Sequence, residues 1–155
     1  MSTFSILLQE TLNKEMKLHI SFCEKLGIQE SRLRNISPST ATSAYTNFLV
    51  KTGYESDFPE ISTALLPCMT TYAEIGTKLS STKAHKIHPA YNEWIDMYAS
   101  DQFQELSVWI TQLVNKTAVS CTREQQIKMK QSYISSCKFE LDFWSISLDK
   151  TRWSI

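Results

Sequence analysis

The run Leu65-Leu66-Pro67-Cys68-Met69-Thr70-Thr71-Tyr72-Ala73-Glu74-Ile75-Gly76 carries the fold in its spacing. With Ile61 before it and Leu79 after it, the apolar positions Ile61, Leu65, Cys68, Tyr72, Ile75 and Leu79 recur at helical intervals. Leu66, Met69 and Ala73 fill a second side, which predicts a helix that is buried on most of its surface. Pro67 lies inside the pattern. A proline there removes one backbone hydrogen bond and predicts a kink. A thiol follows at once, and the phenol of Tyr72 stands one turn further along the same face. The stretch therefore reads as core and as a candidate for chemistry.

Working outward, the same period recurs on both sides. Residues 4–26 form a first helix with Leu8, Leu12, Met16, Ile20 and Cys23 as its apolar stripe, stopped by Gly27. Ser37 followed by Pro38 predicts the start of a second helix, which carries Ala41, Tyr45, Phe48 and Leu49 and ends at Gly53. Asp57 with Glu60 reads as the capping pair of the central helix. Residues 80–88 read as a loop. A fourth helix starts near Pro89 with Tyr91, Trp94, Ile95 and Tyr98, and a fifth carries Phe103, Leu106, Trp109, Ile110, Leu113 and Val114. Thr122 with Gln125 is a second capping box, opening a long last helix on which Tyr133, Cys137, Glu140 and Trp144 lie along one line. The fold class is all-α, a single-domain bundle of about six helices over residues 1–155.

Composition removes several classes of function. Sixteen basic residues balance sixteen acidic ones, so no strong field for nucleic acid or an anionic membrane arises. No apolar run reaches the length of a membrane span, and the first residues lack the charged and apolar regions of a secretion signal. With only three glycines there is no glycine-rich phosphate loop. The four cysteines are widely spaced without a C-x-x-C pair, which predicts reduced thiols in a cytoplasmic protein. His85 and His88 are too few for a metal site, and no helix carries a paired Glu-x-x-His motif.

Among side chains that do chemistry, Glu140 has Cys137, Phe143 and Trp144 as helical neighbours. Two readings fit: an exposed or structural carboxylate, or a desolvated one whose raised pKa suits a general acid. Tyr45, Tyr72 and Tyr98 come from three helices, each on an apolar stripe. They read either as core aromatics or, with Cys68 and Glu140, as the lining of a mostly apolar pocket for a flat heteroaromatic ligand.

Four stretches resemble the TenA-like proteins, thiaminase II and its relatives: Ala44-Tyr45-Thr46-Asn47-Phe48-Leu49; Leu65-Leu66-Pro67-Cys68 with Tyr72 and Glu74-Ile75-Gly76; His88-Pro89-Ala90-Tyr91-Asn92-Glu93-Trp94-Ile95-Asp96-Met97-Tyr98 with Phe103; and Glu140-Leu141-Asp142-Phe143-Trp144. The resemblance implies a haem-oxygenase-like all-helical fold and a cofactor-free, metal-free hydrolysis at an aminopyrimidine or thiamin. It implies Cys68 as nucleophile and Glu140 as acid/base, with Tyr72 and Tyr98 orienting them and Tyr45 walling the ring. It also implies a homo-oligomer, a tetramer in that family. Family members carry further N-terminal helices with an aspartate that holds the pyrimidine, and no Asp of the first helix here matches it. The expectation is an N-terminally shortened relative that lacks a charge-assisted hydrogen bond of about 1.5–3 kcal/mol. An alternative follows: a non-catalytic pyrimidine-binding or subunit-interaction protein.

Overall fold

The computed structural model describes residues 2–82 and 89–149, and every regular element among them is helical. The all-α expectation is borne out. His85 and His88 lie outside the described residues.

The first helix has three parts: α1 (Ser2–Glu10), a π-helical turn (Thr11–Glu15) and α2 (Met16–Lys25). A short α3 (Glu30–Leu33) stands in the stretch expected to be irregular. Then come α4 (Thr40–Glu55), α5 (Phe58–Ser81), α6 (Pro89–Ala99), α7 (Asp101–Val119) and α8 (Arg123–Asp149). Local chemistry explains most ends. Gly27 takes φ +78° after α2, a left-handed conformation that costs glycine nothing. The Ser100 hydroxyl accepts from the Phe103 N–H at the start of α7. At α8 the predicted box is reciprocal: Thr122 N–H donates to the Gln125 side chain at 2.9 Å, and Gln125 N–H to the Thr122 hydroxyl at 3.2 Å.

Some bounds differ from the sequence reading. The cap of α4 is Ser39, two residues after the expected Ser37; its hydroxyl accepts from Thr42 N–H. The helix also runs through Gly53 to Glu55. A glycine inside a helix costs only about 1 kcal/mol, so it need not end one. At the start of α5, Glu60 accepts from the Ser56 hydroxyl. The helix continues through Pro67 as far as Ser81, into the stretch read as a loop.

The chain divides into two compact units, residues 1–37 with 74–106, and 38–73 with 107–155. In the first unit, Tyr98 is buried at 1% exposure. Its ring packs on Trp94 and Phe103 with centroids 4.5 and 4.8 Å apart, and its hydroxyl donates to Glu15, the last residue of the π turn. Gly76 is pressed against α6: a Cβ there would lie 2.6 Å from the carbonyl carbon of Tyr98. Lys25 pairs with Glu93, and Phe22 meets Tyr91 edge to face at 5.2 Å. The apolar stripe expected on the first helix is corrected in part. Leu8, Leu12 and Met16 are 59%, 58% and 50% exposed. The reason is geometric, since a π turn inserts a residue into the helical repeat and rotates the positions on either side of it.

In the second unit the core is formed by Ala41, Ala64, Met69, Ala73, Ile110, Val114 and Met129. The most deeply buried residues of α5 include Ser62, Ala64 and Pro67, while Cys68 and Tyr72 on the predicted stripe are only half-buried. On α8 the buried line is Met129, Ser132, Ser136 and Glu140; Tyr133 and Trp144, expected with Glu140, stay partly exposed.

Candidate functional site

Three helices of the second unit bring the candidate groups together. Tyr45 stands on α4, where its ring stacks on Phe139 at 5.6 Å and an interplanar angle of 12°. Cys68 follows Pro67 on α5, and its thiol donates to the Leu65 carbonyl at 3.0 Å. Glu140 stands on α8 and is 5% exposed.

The electrostatics link all three. Burial pushes the Tyr45 phenol well above its ordinary value; the neighbouring Cys68 thiol and then Glu140 push the same way, against the hydrogen bond to Ser136. Burial also holds the Glu140 carboxyl above the usual carboxylate range, and a donated bond from Tyr45 would act in the opposite direction. Tyr45 therefore lies close enough to bear on both the thiol and the acid. A carboxyl that burial makes hold its proton more tightly than usual, beside a thiol and a phenol, is suited to giving that proton to a basic heteroatom while a thiolate attacks.

Tyr72 lies one turn beyond Cys68, and its ring packs on Trp144 at 5.6 Å. Tyr98 belongs to the first unit, where its hydroxyl is engaged with Glu15. A cavity of about 370 Å³ between α4 and α8 is lined by Thr40, Ala41, Ala44, Asp142, Ser145, Ile146 and Asp149, and so by none of the candidate groups. Among the described residues no group of three or more His, Cys, Asp or Glu side chains is arranged to hold a metal. Nor is any described helix long and apolar enough to cross a membrane.

The sequence reading missed Ser136. It is fully buried, it shares a 2.9 Å hydrogen bond with the Tyr45 hydroxyl, and it donates to the Ala64 carbonyl at 2.6 Å. A small polar residue one turn before Glu140 on the same face was the available signal. Glu15 stands four residues before His19 on the first helix. The two are 4.0 Å apart, while the shorter bond to Glu15 comes from Tyr98.

Comparison with known proteins adds to this geometry. The profile of the TENA/THI-4/PQQC family matches residues 2–150. The chain is 36% identical to an aminopyrimidine aminohydrolase of Halalkalibacterium halodurans over 154 residues, covering 99% of this chain and 69% of that protein. It is 34% identical to the aminopyrimidine aminohydrolase of Bacillus subtilis over 146 residues, covering 94% of this chain and 61% of that one. Among solved structures, a TenA family transcription regulator from Silicibacter sp. TM1040 superposes with a TM-score of 0.84 at 26% identity, covering 96% of this chain and 67% of that one. The chain thus spans about two thirds of the length of these relatives.

Proposed function

This chain belongs to the TENA/THI-4/PQQC family, and on that premise we propose that it is a hydrolase of the C–N bond on the methylene arm of an aminopyrimidine, as in thiamin breakdown and salvage. The observation that carries the reading is Tyr45, whose phenol bears on both the Cys68 thiol and the buried Glu140 carboxyl.

In the proposed reaction the Cys68 thiolate forms a bond to a ring carbon while Glu140 gives its proton to a ring nitrogen. The electron-rich adduct then expels the amine, or the thiazole of thiamin, from the methylene arm. Water adds to that carbon and loses a proton to the Glu140 carboxylate. The carbon–sulfur bond breaks, the ring regains its aromaticity as its nitrogen releases its proton to the departed amine or to water, and the thiolate and acid are restored. The net change is replacement of an amine by a hydroxyl, with no redox step and no cofactor. Tyr45 and Tyr72 supply aromatic surface for the ring.

The test is direct. Purified protein is incubated with thiamin and, separately, with an aminomethyl-aminopyrimidine, and hydroxymethyl-pyrimidine is measured by chromatography. Release by the wild type and its loss in Cys68→Ser support the reading. No release with either substrate overturns it.

The exposed Leu8, Leu12 and Met16 favour a second reading, in which the chain binds a pyrimidine without turnover and works through association with other subunits, its own copies included. Heat of aminopyrimidine binding without product, together with a sedimentation coefficient above that of a monomer, selects this reading. A cytoplasmic location belongs to the same proposal and rests on the four widely spaced cysteines, none of which forms a disulfide.

A further inference from the structure

We propose that the outer stripe of α8 seats a second copy of this chain, the two α8 helices pairing antiparallel about a twofold axis. The proposal concerns assembly and does not depend on the chemistry of Cys68 and Glu140.

The stripe is defined by its spacing. Ile127, Ile134, Leu141 and Leu148 stand seven residues apart on one helix and are between 41% and 82% exposed. The residues that α8 buries, Met129, Ser132, Ser136 and Glu140, lie on its other side. Ile134 and Ser136, two residues apart, are separated by about 200° round the helix. A helix with one core face ordinarily carries polar residues opposite it. Here the opposite face is apolar at every seventh position from Ile127 to Leu148, about 32 Å of helix. Positions seven apart drift by only about 20° per repeat, and supercoiling around a partner helix removes the drift. Three residues after Ile134 and Leu141, where a heptad has its second seam position, stand Cys137 and Trp144. The Trp144 ring packs on Tyr72 and is still partly exposed.

The charges beside the stripe select its occupant. Lys128, Lys130 and Lys138 precede Asp142 and Asp149 along the helix, and all five are exposed. Glu124 pairs with Lys128 at 3.2 Å, yet with Arg123, Lys130 and Lys138 the balance of that end stays basic. A second α8 laid parallel would set basic end beside basic end. Laid antiparallel, it sets each basic end beside the acidic end of its copy and opposes the two helix dipoles. A seam also needs a matching heptad on the other helix. A copy of the chain already has one, and a twofold axis uses the same surface twice.

Sedimentation velocity of the full chain tests this. At about 100 µM the wild type is expected to sediment as a dimer or a multiple of it, because micromolar affinity fills the interface at that concentration. Leu141→Glu and Leu148→Glu place a good helix former at exposed positions, so helical circular dichroism is kept. Each should raise the dissociation constant by about a hundredfold or more, since a twofold axis counts the change twice. Leu12→Glu, on the exposed stripe of the first helix, should leave association as in the wild type. Orientation is read by mixing Ile127→Cys and Leu148→Cys proteins, oxidising them and identifying the disulfide by peptide mass. A bond joining position 127 of one copy to position 148 of the other is expected.

A wild type that stays monomeric overturns the proposal and leaves the stripe to another occupant, such as the part of the relatives' length that this chain does not span. Association that survives both α8 variants and is lost in Leu12→Glu overturns it as well. So do disulfides that join only 127 to 127 and 148 to 148, the mark of a parallel pair. Sedimentation needs no substrate, so a monomer that releases product sinks only the pairing of α8, and a dimer that releases none sinks only the hydrolase reading.

Discussion

The hydroxyl of Ser136 donates to the main-chain carbonyl of Ala64 at 2.6 Å, joining positions 72 residues apart. One helical turn beyond Ala64 stands Cys68, and one turn beyond Ser136 stands Glu140. A single cross-helix bond thus sets the register of the two segments that carry the thiol and the acid. Ala64 lies in the turn that Pro67 loosens by lacking an N–H. The proline that marks the helix of the thiol in sequence lies one turn from the carbonyl that anchors the helix of Glu140.

The thiol is the group that the proposed reaction can least spare. Cys68→Ser keeps the shape and removes the nucleophile, because an alcohol in this setting remains protonated. Steady-state assays should find kcat reduced by about a thousandfold or more, with the melting temperature near that of the wild type. A Cys68→Ser protein with near-normal kcat would remove the thiol from the chemistry.

Glu140 predicts an unusual dependence of stability on pH. Its carboxyl titrates higher in the folded chain than in the unfolded one. Between those two values the folded state binds more protons, so stability falls as pH rises through that window and stays lowered above it. Glu140→Gln is free of this loss. Denaturant titrations should find the glutamine variant more stable than the wild type near neutral pH, with the advantage disappearing below the ordinary carboxylate range. A difference that is independent of pH would show that Glu140 titrates normally.

Gly76 is needed for the close approach of α5 and α6. A methyl group there would meet the Tyr98 carbonyl carbon at 2.6 Å and the Ala99 nitrogen at 2.9 Å, both of them backbone atoms that cannot rotate away. Gly76→Ala should lose about 1–3 kcal/mol in chemical denaturation, although alanine is the better helix former. A neutral or stabilising result would mean that the two helices do not touch there.

Tyr98 is buried and its hydroxyl donates to Glu15. Tyr98→Phe leaves the ring packing on Trp94 and Phe103 intact and removes only that bond. The expected loss is about 1–3 kcal/mol, typical of a hydrogen bond to a charged group, measured as a shift in denaturation midpoint at constant slope.

The cap of α8 offers an independent check on the second unit. Thr122→Ala removes the acceptor for the Gln125 N–H and should cost about 1 kcal/mol. Thr122→Ser keeps the oxygen and should recover most of it in the same measurement.

Local signals carried much of this molecule. Helical period, the box at Thr122 and Gln125 and the left-handed Gly27 depend on residues within a few positions of each other, and each was legible from sequence. Cys68, Glu140 and Tyr45 were legible as candidates because each stands on an apolar stripe where its own residue type is out of place. Other features left weaker traces. The cap at Ser39 instead of Ser37 turned on the backbone conformation reached two residues later. The exposure of Leu8, Leu12 and Met16 followed from a π turn, which inserts one residue without any composition that announces it.

By itself, then, the sequence determined that the chain is helical, where its longer helices lie, and which side chains have the chemistry for a thiol-and-acid site. The tertiary structure alone decided that the Tyr45 hydroxyl meets Ser136, that Ser136 meets the Ala64 carbonyl, and that Tyr98 turns to Glu15. The physical reason is range. A helix forms from contacts three and four residues apart, whereas the partner of a hydroxyl between helices is set by which distant group packing brings within hydrogen-bond distance.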